Sequence, residues 1–313
     1  MLLLFDPWLL KSLKMSSAVC PGFFGGRLVD GAAELQPEGL DVIGKLKGPL
    51  YVVTFVGDFR SGKSYLAAHL LGLGEKLIPH LACEPITEGI DVIAWPMANL
   101  MERLGKASAA EDMDMHIFLL DCQGGSDVSP TLRSLIHGIG SVVSSEIIFV
   151  WKGFVSDDGI SYLKDFVSAR SHFHMLGGAV RCQQELLVAV NRPNSNKVQL
   201  PHQWLAEAFP RHCVLLVPPS GTPDFWESIA SLQTQVFQNR RRSMLGGSLF
   251  TSRMICRMLV KITGKSVDAP TNLGDAPLEK KNKVVLLPRK ATKKARSNAR
   301  KTYCTHLKIG RAS

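Results

Sequence analysis

The octapeptide Gly57-Asp58-Phe59-Arg60-Ser61-Gly62-Lys63-Ser64 constrains this chain more than any other stretch. It satisfies the pattern G-x-x-x-x-G-K-[ST], follows an apolar, β-branched run at residues 51–56, and precedes a helix-forming stretch at 63–71. At average residue frequencies such a match arises in about one chain per hundred of this length. The glycines let successive backbone N–H groups turn toward a phosphate chain, and the following helix adds its positive dipole end. Lys63 is then placed to pair with β- and γ-phosphates, Ser64 to offer its hydroxyl to Mg²⁺, and Tyr65 to continue the same candidate surface.

The rest of the chain reads as strands alternating with helices. Short apolar runs at residues 116–120, 146–150, 186–190 and 213–217 predict strands. Helical patterns fall near 131–138, 159–171, 203–209, 224–239 and 249–262. This alternation predicts an α/β fold of the P-loop nucleoside-triphosphatase kind, with a mainly parallel central sheet and helices on both faces. Ligands of such sheets sit outside the carboxyl ends of the strands.

Charge refines the picture. The chain has 37 Lys and Arg against 27 Asp and Glu, a net charge of +10. Residues 271–313 hold 12 of the basic residues and two acids, Asp275 and Glu279, so the remaining 270 residues carry 25 of each sign. The excess therefore belongs to a tail, and the body does not have the composition of a basic nucleic-acid groove. Seven scattered cysteines without a C-x-x-C pair argue for reduced thiols rather than a disulfide framework or a zinc site. No uninterrupted apolar run reaches the roughly 18 residues of a membrane span. Together these features point to a soluble, cytoplasmic protein, with membrane association restricted to the periphery.

Two downstream motifs extend the phosphate site. Asp121-Cys-Gln123-Gly124 follows the strand at 116–120 and fits D-x-x-G, where the acid meets the Mg²⁺ shell and the glycine N–H senses the γ-phosphate. Between them, Thr87-Glu-Gly-Ile90 offers a hydroxyl that could close over Mg²⁺.

In order and spacing these motifs resemble the G domain of the guanylate-binding proteins and atlastins, large GTPases of the dynamin superfamily. The resemblance also takes in Gly26-Arg-Leu-Val, Ala94-Trp95, the run from Ala208 to Val217, and Gly246-Gly247. It implies that GTP is the substrate and Mg²⁺ the metal, held by Ser64, Thr87 and Asp121. It further implies that Arg60 acts as an arginine finger in cis when two G domains meet in a nucleotide-dependent homodimer. Lys63, Thr87 and Gln123 complete the implied catalytic set, with Gln123 orienting water through the switch network. The implied nucleotide surface comprises residues 57–65, Gly124, Asn191 and Arg192.

The sequence departs from that family in three places. The family reads guanine with an Arg-Asp pair, whereas the strand at 186–190 leads here into Asn191-Arg192-Pro193-Asn194. An N-K-x-D register ends on Asn194 as well, and an amide, with one acceptor oxygen, cannot reproduce a carboxylate's double acceptance from guanine N1 and N2. Asp157 or Asp158 is an alternative base-reading acid. Pro85 stands where the guanylate-binding proteins carry a serine that positions the attacking water. The helical stalk and membrane hairpins of the larger relatives have no counterpart in the 43 residues after the G domain, and the C-terminus is not a C-a-a-X box.

The organisation expected is an N-terminal extension at 1–25, a G domain at 26–270 and a basic, disordered tail at 271–313. The tail suits an anionic membrane surface or RNA. The function expected is Mg²⁺-dependent GTP binding and hydrolysis. The alternatives are a nucleotide-binding interaction module with little hydrolysis, an altered base specificity, and phosphoryl transfer to another acceptor.

Overall fold

The computed structural model describes residues 24–29, 32–35, 43–44, 46–73, 89–124, 130–153, 157–169, 173–175, 184–194, 202–238, 240, 244–245, 248–263 and 286–288. Its centre is a six-stranded sheet. The strands are β3 (Leu50–Gly57), β4 (Ile90–Pro96), β5 (His116–Cys122), β6 (Glu146–Lys152), β8 (Glu185–Asn191) and β9 (Arg211–Val217). Their spatial order is β4-β5-β3-β6-β8-β9. All neighbours pair parallel except β4, which runs antiparallel to β5 at one edge. The fold is therefore the expected α/β P-loop architecture.

The strand sequences explain why both faces are covered. All eight residues of β3 are buried, and six of seven in each of β5, β6 and β8. Such continuous apolar runs are stable only between two layers of helix. On one face Tyr51, Val53, Phe55, Ile117, Leu119, Ile148, Leu187 and Ala189 meet α1 (Lys63–Leu70), α2 (Met97–Arg103) and α6 (Pro223–Gln238). On the other, Val52, Val56, Phe118, Leu120, Phe149 and Val188 meet α3 (Pro130–Val143), α4 (Asp157–Ala169), α5 (His202–Ala208) and α7 (Ser252–Thr263). The period-2 alternation of each strand thus sorts its side chains between the two helical layers.

Several polar contacts fix the layers. Tyr51 Oη donates to Val236 O at 2.7 Å, joining β3 to α6. Arg240 grips Asp112 through both carboxylate oxygens, at 2.7 and 2.6 Å, just beyond α6. That fork-to-carboxylate geometry is the strong form of an ion pair. Ser252 Oγ donates to Leu46 O at 2.8 Å and anchors the start of α7 beside β3.

The smaller pieces were less legible in sequence. A hairpin pairs β1 (Phe24–Val29) with β2 (Ala32–Leu35), and β10 (Met244–Leu245) pairs with β11 (Ser248–Leu249). Within the segment expected to be a tail, β12 (Leu286–Pro288) pairs antiparallel with β7 (Phe173–Met175). Among the described residues no helix is long and apolar enough to cross a membrane.

Candidate functional site

The carboxyl ends of β3, β5, β6 and β8 open on one edge of the sheet because those strands are parallel. There β3 ends at Gly57, the loop 58–62 crosses the edge, and α1 begins at Lys63. Gly62 caps that helix at φ 98°, a conformation that L side chains rarely adopt. A methyl group at this position would also stand 2.3 Å from Asn191 Nδ2. Glycine is thus required for two reasons, the turn into the helix and the close approach of a neighbouring strand. Arg60 also has positive φ, 55°, and lies exposed with its guanidinium 5.0 Å from the centroid of the Phe59 ring.

Inside the loop, Lys63 Nζ donates to Asp58 O at 2.8 Å. Desolvation holds this ammonium below the ordinary lysine range, while the Asp121 and Asp58 carboxylates and Cys122 oppose the shift. Asp58 Oδ1 accepts from Phe59 N at 2.7 Å, which stiffens the turn. Ser61 Oγ is buried without a hydrogen-bond partner. A buried ammonium, an orphaned hydroxyl and a glycine-lined turn at a helix N-terminus form a donor-rich cradle suited to phosphate oxygens.

Two further oxygen-bearing side chains converge on the same mouth. Ser64 Oγ donates to Asp121 Oδ2 at 2.5 Å, joining the first turn of α1 to the end of β5. A hydroxyl beside a carboxylate is the hard oxygen set that Mg²⁺ prefers when phosphate supplies further ligands. Asp91 on β4 lies directly opposite Asp121 in the antiparallel register. Two carboxylates at one cross-strand position raise the negative potential there. Sequence reasoning missed Asp91, although β-branched alternation through residues 90–95 could have shown the edge strand that carries it.

The D-x-x-G segment sits directly over the loop. Gln123 Oε1 accepts from Gly89 N at 2.8 Å, and Gln123 N donates to Gly89 O at 2.8 Å, so one residue ties both backbone groups of Gly89. Gly124 approaches so closely that a methyl group would stand 2.5 Å from Phe59 N and 2.6 Å from Phe59 Cα. The two motifs are therefore in backbone contact. Thr87 and Pro85 lie outside the described residues.

On the other side, Asn191 ends β8 and its Nδ2 donates to Ser61 O at 2.9 Å. Its side chain is buried at 9% exposure and acts as a clamp between β8 and the loop. Arg192 follows at φ 53°, exposed, with its backbone N–H donating to Val217 O at 2.7 Å. Tyr65 belongs to the first turn of α1, but its hydroxyl is buried and its ring faces His69 and Phe225 at 4.5 and 5.9 Å. Asp157 and Asp158 are exposed at the start of α4.

A buried pair beneath the loop carried no sequence motif. His137 Nε2 and Tyr162 Oη are 2.7 Å apart, and the phenol oxygen accepts from the backbone N–H of Gly57. Burial pushes the tyrosine well above its ordinary range and drives His137 down to about 3, with Arg133 adding to the histidine's shift. Burial likewise raises the Cys213 and Cys256 thiols to about 11, and both cysteines are free.

Residues 30–174 match the family model described as "Guanylate-binding protein, N-terminal domain". That segment is similar to the N-terminal domain of the guanylate-binding proteins. It contains the phosphate loop, Asp121 and Gly124. Among solved structures, one from Methanosarcina barkeri, described as Roco2 RocCORdC bound to GDP, is similar at 20% identity and a TM-score of 0.37. The similarity covers 61% of this chain and 51% of that one, so this chain spans about half of that length. No curated protein matches. The guanylate-binding-protein match ends before β8, so Asn191, Arg192 and Asn194 lie beyond it.

Proposed function

We propose that this chain carries a guanylate-binding-protein-like G domain, a Mg²⁺-dependent hydrolase that binds GTP and cleaves its γ-phosphate, with two copies meeting across the nucleotide face. The observation that carries the proposal is the convergence of the buried Lys63 ammonium, the Ser64 hydroxyl and the Asp121 carboxylate at the mouth of a glycine-lined loop. Backbone N–H groups of residues 58–63 bind the phosphate chain, and Lys63 exchanges its bond to Asp58 O for β- and γ-phosphate oxygens. Ser64, Asp121 and Thr87 would hold Mg²⁺, which would supply positive charge to offset that of the β- and γ-phosphates. Attack of water forms a new P–O bond and breaks the bond to the β,γ-bridging oxygen. The products are GDP and inorganic phosphate, and the proton of the attacking water passes to phosphate.

Arg60 is an exposed residue of this loop. It lies exposed at positive φ, and a guanidinium placed on the transferring phosphoryl group is worth about 10³ to 10⁵ in rate. The proposed division is a G domain at 26–270 flanked by an extension at 1–25 and a tail at 271–313 that adheres to anionic membrane surfaces or RNA. The proposed location is the cytoplasm. With full-length protein and Mg²⁺, phosphate release should exceed that of Lys63→Ala at every GTP concentration. Equal rates would remove the hydrolytic reading.

A second reading is a nucleotide-dependent interaction module that turns over slowly. Two observations favour it: Gln123 Oε1 is already engaged with Gly89 N, and proline occupies position 85. Tight nucleotide binding and dimerisation with negligible phosphate release would select this reading.

A further inference from the structure

We propose that Asn194 sets the base preference of the nucleotide site, so that xanthosine triphosphate binds more tightly than GTP. The inference rests on the reading of the phosphate loop as a nucleoside-triphosphate site and names the base that this site prefers.

The clamp made by Asn191 places the turn 192–194 at the same sheet edge as the phosphate loop. The turn is then fixed from both sides. Gly153 N donates to Asn191 O at 2.9 Å and Asn194 N donates to Gly153 O at 3.1 Å, which continues the β6–β8 ladder past its last pair. Arg192 N ties the same turn to the end of β9. Asn194 is exposed, and its amide lies across Gly153, where a methyl group would stand 3.3 Å from Nδ2. A nucleotide whose phosphates fill the loop extends its base along the strand ends, the crevice that such sheets use for ligands. Asn194 therefore stands where the turn meets that crevice.

The side-chain chemistry decides the preference. Guanine presents two donors on this edge, N1–H and N2–H, and a carboxylate accepts both. An amide has one acceptor oxygen and one donor nitrogen. Against guanine it makes a single bond and sets its own NH₂ against the exocyclic NH₂. Xanthine carries an oxygen in place of that amine, so Oδ1 accepts from N1–H while Nδ2 donates to O2. Hypoxanthine offers N1–H alone and meets no opposing donor. The two ends of the amide can exchange by rotation, so both patterns are available to Asn194. The resulting order is xanthine, then hypoxanthine, then guanine, and GTP still binds through its phosphates and one base contact.

The test is calorimetric titration of the full chain in Mg²⁺ with XTP, ITP, GTP and ATP. XTP should bind at least about tenfold more tightly than GTP. Asn194→Asp should reverse that ratio, and Asn194→Ala should abolish it without favouring either base, with melting temperatures confirming that both variants fold. Tighter binding of GTP or ATP than XTP by the unmodified chain would overturn the proposal. An unchanged ratio in Asn194→Asp would overturn it too, as would a guanine preference removed by Asp157→Asn or Asp158→Asn. Binding of all four nucleotides no stronger than to Lys63→Ala would instead sink the phosphate-site reading and this inference with it.

Discussion

Acidification tests the least visible part of the site, the His137–Tyr162 pair beneath Gly57. His137 is 2% exposed, bonded to Tyr162 and held near a pKa of about 3, so it is neutral in the folded protein above that value. In the unfolded chain its pKa returns to about 6.5. Between pH 6.5 and pH 3 the unfolded state therefore binds the extra proton, and stability falls as pH falls. Integrated from pH 7 to pH 5, the loss from this residue is about 2 kcal/mol, and it continues at about 1.4 kcal/mol per unit until the folded state also protonates. The figure at pH 5 depends almost entirely on the unfolded value, because at that pH the folded histidine remains neutral. Burial also lowers His116, so the quantity to measure is a difference between proteins. Urea denaturation at pH 7 and pH 5 of the unmodified chain and of His137→Gln should give pH dependences differing by about 2 kcal/mol. Parallel pH profiles would refute the reasoning, since they would mean that His137 is protonated in the folded state or is not buried there.

Gly62→Ala should destabilise the protein by about 2–3 kcal/mol, combining the cost of positive φ with loss of the Asn191–Ser61 bond, and should weaken nucleotide binding; denaturant titration and calorimetry check both. Arg60→Ala should leave GTP affinity within a few-fold and lower turnover by about 10³ or more, measured by steady-state phosphate release. Truncation of residues 289–313 preserves the β7–β12 pair and removes most of the tail's basic residues. It should abolish salt-sensitive adhesion to vesicles of anionic lipid in a flotation assay and leave nucleotide affinity unchanged.

What the sequence made legible follows from how local its signals were. The phosphate loop is contiguous, so its residue types, the preceding strand and the following helix could be read together, and β3, the loop and α1 occupy those positions. The buried strands were equally plain because a strand covered on both faces must be apolar throughout. The edge strand β4 was not recognised, because Asp91 interrupts its apolar run and residues 91–94 are only half-buried. The short pairs β1–β2, β7–β12 and β10–β11 carry too few residues for a period to show. Within the site, Lys63, Ser64 and Asp121 converge as the motifs imply, whereas Asp91, His137 and Tyr162 are brought there only by register and helix packing. No spacing rule joins a histidine on one helix to a tyrosine 25 residues later on another.

The two ends of the proposed nucleotide site are built differently, and that difference governs what can vary. At the phosphate end, backbone N–H groups, a glycine at φ 98° and a methyl-sized exclusion against Asn191 leave little freedom, because a substitution there moves the main chain itself. At the base end, the main chain of residues 191–194 is secured by bonds from β6 and β9 that do not depend on the side chain at 194. An exposed residue on a backbone fixed by its neighbours can exchange carboxylate for amide at little cost to folding. The fold thus separates the chemistry common to nucleoside triphosphates from the reading of the base. On the proposed reading, a single exposed amide changes the second while the Lys63, Ser64 and Asp121 cluster continues to serve the first.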